Sequence, residues 1–406
     1  MKRLHFLMAI AAMTSILLCT SCSSKERKPD PSKTVSQTNL QSQQIKPTVN
    51  VYIENSGSMD GYVKGITEFE QTVYNYLSDI LISHTVDSLN LFYINSQALK
   101  QNLSLEDFIQ KLEPAIFQKR GGNRGISDIA NVLGTLLSET GKNQISILVT
   151  DGIFSPGRGR DAEEYLVNQQ IGIKRQFANY LEKNPNAVVI VYQLSSKFNG
   201  MYYNKVDSKI SINEKRPYYI WVIGDAKQVS ELRKQVPDSK FLGGVQNTFI
   251  AISGNHPVKY AVIPSSGKFK SSRRDDHTIE ELSKDSRTGK VKFAINADFS
   301  DLLLDDGYLS DVNNYDNSSK YAFDIKPSAT KKGNYIFTFN SDKVYQGTVS
   351  VKLKAQLPAW IEEANDDNGT AALQGKTYGI KYQIAGVFDA FTFNNNYYTE
   401  IKISIK

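Results

Sequence analysis

A mainly apolar run extends from Leu4 to Cys19, behind Lys2 and Arg3, and apolar residues then thin out until Thr48. From Val49 onward two spacings take over in turn. Up to about residue 240, short apolar runs alternate with segments in which apolar positions recur every three or four residues. The runs are Val49–Ile53, Ser88–Ile94, Gln144–Thr150, Ala187–Leu194 and Tyr218–Ile223. The three-and-four spacing predicts helices over Thr67–Ile82, Leu105–Leu112, Asp128–Leu137, Ala162–Leu181 and Asp225–Val236. Lys197–Arg216 fits neither spacing and reads as a loop or hairpin insertion.

Strands alternating with helices predict a doubly wound α/β domain over residues 49–240, with a mostly parallel sheet covered by helices on both faces. Continuous runs such as Ile145-Ser146-Ile147-Leu148-Val149 suit strands buried on both sides. After Phe241 the spacing drops to two, at Val291/Phe293/Ile295, Val349/Val351/Leu353 and Ile401/Ile403/Ile405. Residues 241–406 are therefore expected to form antiparallel, sandwich-like β structure, with Ile279–Leu282 at most a turn or two of helix. Thr248–Ser253 is placed ambiguously, as a last strand of the first domain or a first strand of the second.

The amino-terminal run is too short to span a bilayer comfortably and is read as a processing signal, residues 1–21. Ser21, a small residue, precedes Cys22, and the segment resembles a bacterial lipoprotein signal with Cys22 as the lipidated residue. That resemblance implies a cell-envelope protein held to a membrane by its acylated amino terminus, with Ser23 leaning towards the outer membrane. Residues 22–48 are rich in Ser, Lys, Gln and Pro and cannot repay the entropy of ordering, so they are read as a flexible tether.

The chain has two cysteines and four histidines in 406 residues, which excludes a disulfide-stapled scaffold and a thiolate zinc site. Its formal charge is +6 with no long basic run, and the neighbouring Lys270, Arg273 and Arg274 are followed at once by Asp275 and Asp276. No nucleic-acid partner is expected. The acidic stretch from Asp298 to Asp316 lacks the spacing of a calcium-binding loop and is read as a solvated rim.

Ligands of open α/β sheets bind beyond the carboxyl ends of the strands. Three oxygen-bearing clusters fall there: Glu54, Ser56 and Ser58; Ser127 with Asp128; and Asp151. Hydroxyls and carboxylates without Cys or His suit a hard cation, Mg²⁺ first, then Mn²⁺ or Ca²⁺. Glu54-Asn55-Ser56-Gly57-Ser58, followed by Met59, resembles the Asp-x-Ser-x-Ser motif of von Willebrand factor A (integrin I-like) domains. Val149-Thr150-Asp151-Gly152 is similar to that family's second acidic motif, and Ser127 takes the place of the Thr between them. The resemblance covers residues 48–240. It implies a metal site built from Glu54, Ser56, Ser58, Ser127 and Asp151, with an open coordination position for a carboxylate of a protein ligand. Glu54 stands where the family has Asp and is one methylene longer.

The expected function is thus a lipid-anchored envelope binding protein. Two alternatives stand beside it. One is a metal-assisted envelope hydrolase of phosphoester or glycan substrates, although no histidine flanks either serine. The other is a structural envelope component with an empty metal site, for instance one in which Arg124 supplies the positive charge.

Overall fold

The computed structural model describes residues 45–125, 128–156, 161–206, 208–254, 256–272, 274–369 and 375–406. The signal segment, Cys22, most of the tether and Ser127 lie outside the described residues. Ile45–Lys406 form one compact unit.

In the first half, β1 (Thr48–Glu54), α1 (Glu68–Ile82), β2 (Ser88–Ile94), β3 (Ala98–Gln101), α2 (Leu105–Gln110) and α3 (Pro114–Phe117) come first. They are followed by α4 (Ile129–Glu139), β4 (Gln144–Thr150), α5 (Ala162–Lys183), β5 (Ala187–Tyr203), β6 (Lys209–Asp225), α6 (Ala226–Gln235) and β7 (Asn247–Ile252). Side chains fix the helix starts: Thr67, Asp128, Asp161 and Asp225 each accept a hydrogen bond from a backbone N–H of the first turn.

The seven strands form one sheet in the order β3-β2-β1-β4-β6-β5-β7. β1 pairs in parallel with β2 and with β4, and these three strands make the parallel centre. β5 runs in the same direction as β4, but β6 lies between them, antiparallel to both. Only five residues separate β5 from β6, too few for a crossover helix, so the two form a hairpin and pair antiparallel. Alternating side chains split the core between the two faces. Val49, Val51 and Ile53 of β1 are buried together with residues of α1 and α6, whereas Tyr52 is buried with residues of α4 and α5. Helices therefore cover both faces of the sheet.

In the second half, β8 (Lys259–Val262), β9 (Lys268–Ser271), β10 (Thr278–Ser283), β11 (Val291–Asp298), α7 (Asp306–Ser310), β12 (Tyr315–Asn317), β13 (Ala322–Pro327), β14 (Asn334–Ser341) and β15 (Gly347–Lys354) build two sheets, completed by β18 (Tyr397–Ile405). Between β15 and β18 lie α8 (Trp360–Glu363), the short pair β16 (Asn365–Asp366) and β17 (Thr377–Tyr378), and α9 (Ile380–Phe391). The sheet orders are β12-β15-β18-β10-β9 and β13-β14-β11-β8. Tyr315 of the first packs edge-on against Phe323 and Phe337 of the second, so the two sheets share an aromatic core.

Of the two readings of Lys197–Arg216 the hairpin holds: β5 and β6 each run for 17 residues and pair along their whole length. Two expectations are corrected. Ile279–Leu282 lies in strand β10, not in a helical turn. The second half also contains a regular helix, α9, whose Ile380, Ile384, Val387 and Phe391 are buried with Ile173 and Phe177 of α5. Thr248–Ser253 is resolved as well, since β7 is the edge strand of the first sheet.

Helices α5 and α9 approach closely at Gly386, where an added Cβ would lie 2.7 Å from the Gln170 carbonyl oxygen and 3.0 Å from Ile173 Cβ. Helix propensity alone would make Gly386→Ala stabilising by about 1 kcal/mol. Overpacking works against it and is the larger effect in a tight core, so the substitution is expected to cost about 1–3 kcal/mol in net stability by chemical denaturation.

Candidate functional site

The parallel register puts the ends of β1 and β4 side by side, with Ile53 opposite Val149. The chain leaves β1 through Glu54 and Asn55 into a tight turn at Gly57–Gly61, and leaves β4 through Thr150 and Asp151. Glu54, Ser56, Ser58 and Asp151 therefore meet at one end of the sheet. All four are buried: Asp151 has no exposed surface, and the others are at most 5% exposed.

The Thr150 hydroxyl donates to Glu54 Oε2 and accepts from the Gly152 N–H. The Ser56 and Ser58 hydroxyls lie 2.9 Å apart and share a hydrogen bond. Asp151 Oδ1 accepts from the Ile153 N–H at 3.0 Å, while Oδ2 is buried with no hydrogen-bond partner. Burial, reinforced by the charge of Glu54, pushes the Asp151 carboxyl up to about 7. The Ile153 N–H, the Ser58 hydroxyl and Arg216 act in the opposite direction without reversing this. Two carboxyls packed together out of water with one oxygen unpaired are unstable as a pair of anions. They need a proton, a cation, or both. The oxygen-only donor set of Glu54, Ser56, Ser58 and Asp151 fits Mg²⁺ or a similar hard ion.

Arg124 bonds the backbone of the loop after β1. It clamps the loop from outside, with Nε donating to the Asn55 carbonyl at 2.6 Å and a terminal nitrogen donating to the Ser56 carbonyl at 3.2 Å. The same guanidinium pairs with Asp60, whose other oxygen accepts from Gln118 at 2.8 Å. Asp60 is thus a loop-fixing residue. Asp128 caps α4, donating nothing to the cluster through that bond. Among the described residues no histidine bonds either serine hydroxyl; the ring of His277 reaches the Tyr260 carbonyl in the other half of the protein.

Several residues at the site escape the sequence motifs. Asn55 is fully buried, accepts from Asn95 at 2.7 Å, and so ties the ends of β1 and β2 together. Arg216, only 2% exposed, lies 4.6 Å from the centre of the Tyr202 ring and donates to the Lys376 carbonyl at 2.8 Å. The phenols of Tyr62, Tyr202 and Tyr219 all feel both Arg216 and Asp151. Arg216 had one legible signal: in β6 it falls in phase with Tyr218, Ile220 and Val222, which face the core.

Two structures cover the cluster. The outer part of the β5–β6 hairpin lies over the turn after β1, where Phe198 packs edge-on against Tyr62 with ring centres 4.9 Å apart. Backbone meets backbone there, since a Cβ on Gly200 would stand 2.7 Å from Gly61 Cα. From the second half, Gln383 of α9 donates to the Gly152 carbonyl, and Thr377 of β17 bonds the Tyr219 hydroxyl at 3.0 Å. Glu54, Ser56, Ser58 and Asp151 are thus closed off from solvent.

No protein-family model, curated protein or solved structure matches the chain.

The Asp151 carboxyl titrates near 3.8 when unperturbed and near 7 in the folded chain. The folded state then holds this proton more tightly, so the stability it contributes is complete below the unfolded value and disappears as pH rises from about 4 to about 7. In chelator, urea unfolding should show stability falling over that window by up to about 1.4 kcal/mol per pH unit from this group. Asp151→Asn should remove that slope; an unchanged profile would show that Asp151 does not titrate there.

Proposed function

We propose that this chain is a lipid-anchored cell-envelope binding protein whose Glu54, Ser56, Ser58 and Asp151 hold a divalent cation, Mg²⁺ in the first instance. The observation that carries the reading is Asp151 Oδ2, buried out of hydrogen-bond geometry beside a second carboxylate and two serine hydroxyls, of which Ser58 is near enough to favour its anion. An adhesion-type role follows from the resemblance of the two motifs to von Willebrand factor A domains, with Ser127 completing the set. A bound cation supplies Lewis acidity and a site for an anionic oxygen. The protein residues supply rigidity: Asn55, Arg124 and Thr150 hold the two loops in place. A partner's carboxylate reaches this centre only when the hairpin tip or α9 moves aside, so recognition is coupled to opening of the cover. Anchoring rests on Cys22. Among the described residues no helix is long and apolar enough to cross a membrane.

Arg216 favours a second reading, that of a structural component without metal. Its guanidinium is buried, and its charge already acts on Asp151. In that case a proton on Asp151 and the cation of Arg216 together neutralise the cluster.

Thermal unfolding of the full chain at mildly alkaline pH separates the two. If the site takes Mg²⁺, the ion at a hundred times its Kd stabilises by about 2.7 kcal/mol relative to chelator. Ser58→Ala should weaken that response, Asp151→Asn should abolish it, and affinity should fall as pH drops below 7 because the ligand must lose its proton. A midpoint indifferent to Mg²⁺, Mn²⁺ and Ca²⁺, together with an Asp151→Asn variant at least as stable as the parent, would leave only the metal-free reading.

A further inference from the structure

A groove of about 690 Å³ opens between the loop that follows the Gly57–Gly61 turn, helix α1 and the α2–α3 segment. It lies within the roughly 300–1,000 Å³ range of ligand sites. Its lining is of two kinds. Tyr74 and Ile109 contribute apolar surface, and Ile66 stands at its edge with 83% of its surface exposed. Glu70, Glu106 and Glu113 contribute three carboxylates from three different helical segments or their caps. Among the described residues that line the groove none is basic, and none of these three carboxylates has an ion-pair partner among them. The chain as a whole carries +6, so a groove lined by three carboxyls and no basic residue opposes its general character. Burial and the neighbouring charge of Glu113 push Glu70 up to about 7, a cost that an approaching cation would relieve.

We propose that this groove binds an extended peptide segment of a protein partner in which Lys or Arg alternates with aliphatic residues. The long stems of such side chains cover apolar surface while their charged ends reach carboxylates. Distribution of the three carboxylates over separate segments suits successive cationic side chains along a strand better than a single ammonium group. The apolar share of the groove, Ile66 above all, rewards aliphatic side chains that a free polyamine lacks. This site is distinct from the buried cluster at Asp151 and does not require a metal.

The test uses the full chain in EDTA, which keeps it independent of any cation, and a fluorescent short peptide alternating Lys and Leu read by anisotropy. Binding is expected, and it should weaken with salt as exposed ion pairs do. The double variant Glu70→Gln/Glu113→Gln should weaken it at least about tenfold, in line with loss of close interfacial charge pairs. Ile66→Ser should weaken it several-fold without changing the unfolding midpoint, since Ile66 is exposed. A peptide alternating Glu and Leu should not bind. The proposal is overturned if the Lys–Leu peptide fails to bind or ignores these substitutions. It is equally overturned if a Lys-only peptide binds as well, or if spermidine displaces the probe at comparable concentration, which would make the groove a polyamine site.

Discussion

Glu54 and Asp151 sit at the ends of two adjacent parallel strands and have almost no contact with solvent, and the surrounding structure is organised by that constraint. Two carboxyls in such a place cannot both be ionised without compensation, because the penalty for removing each charge from water is several kcal/mol. The neighbours read as compensation. Thr150 donates to Glu54, the Ile153 N–H donates to Asp151, and Arg216 lends positive charge from the hairpin. One oxygen of Asp151 is left over. A polar group left in this condition inside a close-packed region calls for a proton or a compensating charge.

The cover over this cluster comes from far along the chain. The hairpin formed by β5 and β6 extends beyond the sheet and brings Phe198, Tyr202 and Arg216 over the loops. The contacts of Lys376, Thr377 and Gln383 arrive from the second half. The sandwich region is therefore more than a spacer, since segments between two of its strands help to enclose the site. Opening the site means separating surfaces that also hold the two halves together.

Local patterns in the sequence carried much of this architecture. The runs at Ser88–Ile94 and Gln144–Thr150 match strands to the residue, and Thr67 and Asp128 mark true helix starts. What could not be read locally was what depends on distant partners. Lys197–Arg216 left loop and hairpin both open, because its buried apolar positions Phe198, Tyr202 and Ile212 are few, and pairing across the hairpin decides between them. Helix α9 was hidden among Phe and Tyr that suit strands as well as helices, and α5 decides between them by offering an apolar face. At the site, the motifs located Glu54, Ser56, Ser58 and Asp151, but no motif announces that a hairpin will close over them. Burial of the cluster is a tertiary property, and Arg216 belongs to it for the same reason.

The position of α9 also bears on the order in which the molecule can be completed. Leu166, Ile173 and Phe177 of α5 need that helix to leave water, yet it is encoded more than two hundred residues later. As the chain is synthesised, the sheet and its helices emerge with one side greasy and uncovered. Closure of that side waits for nearly the last segment. Until then the nascent protein exposes an apolar strip of the kind that chaperones hold and that neighbouring chains can stick to.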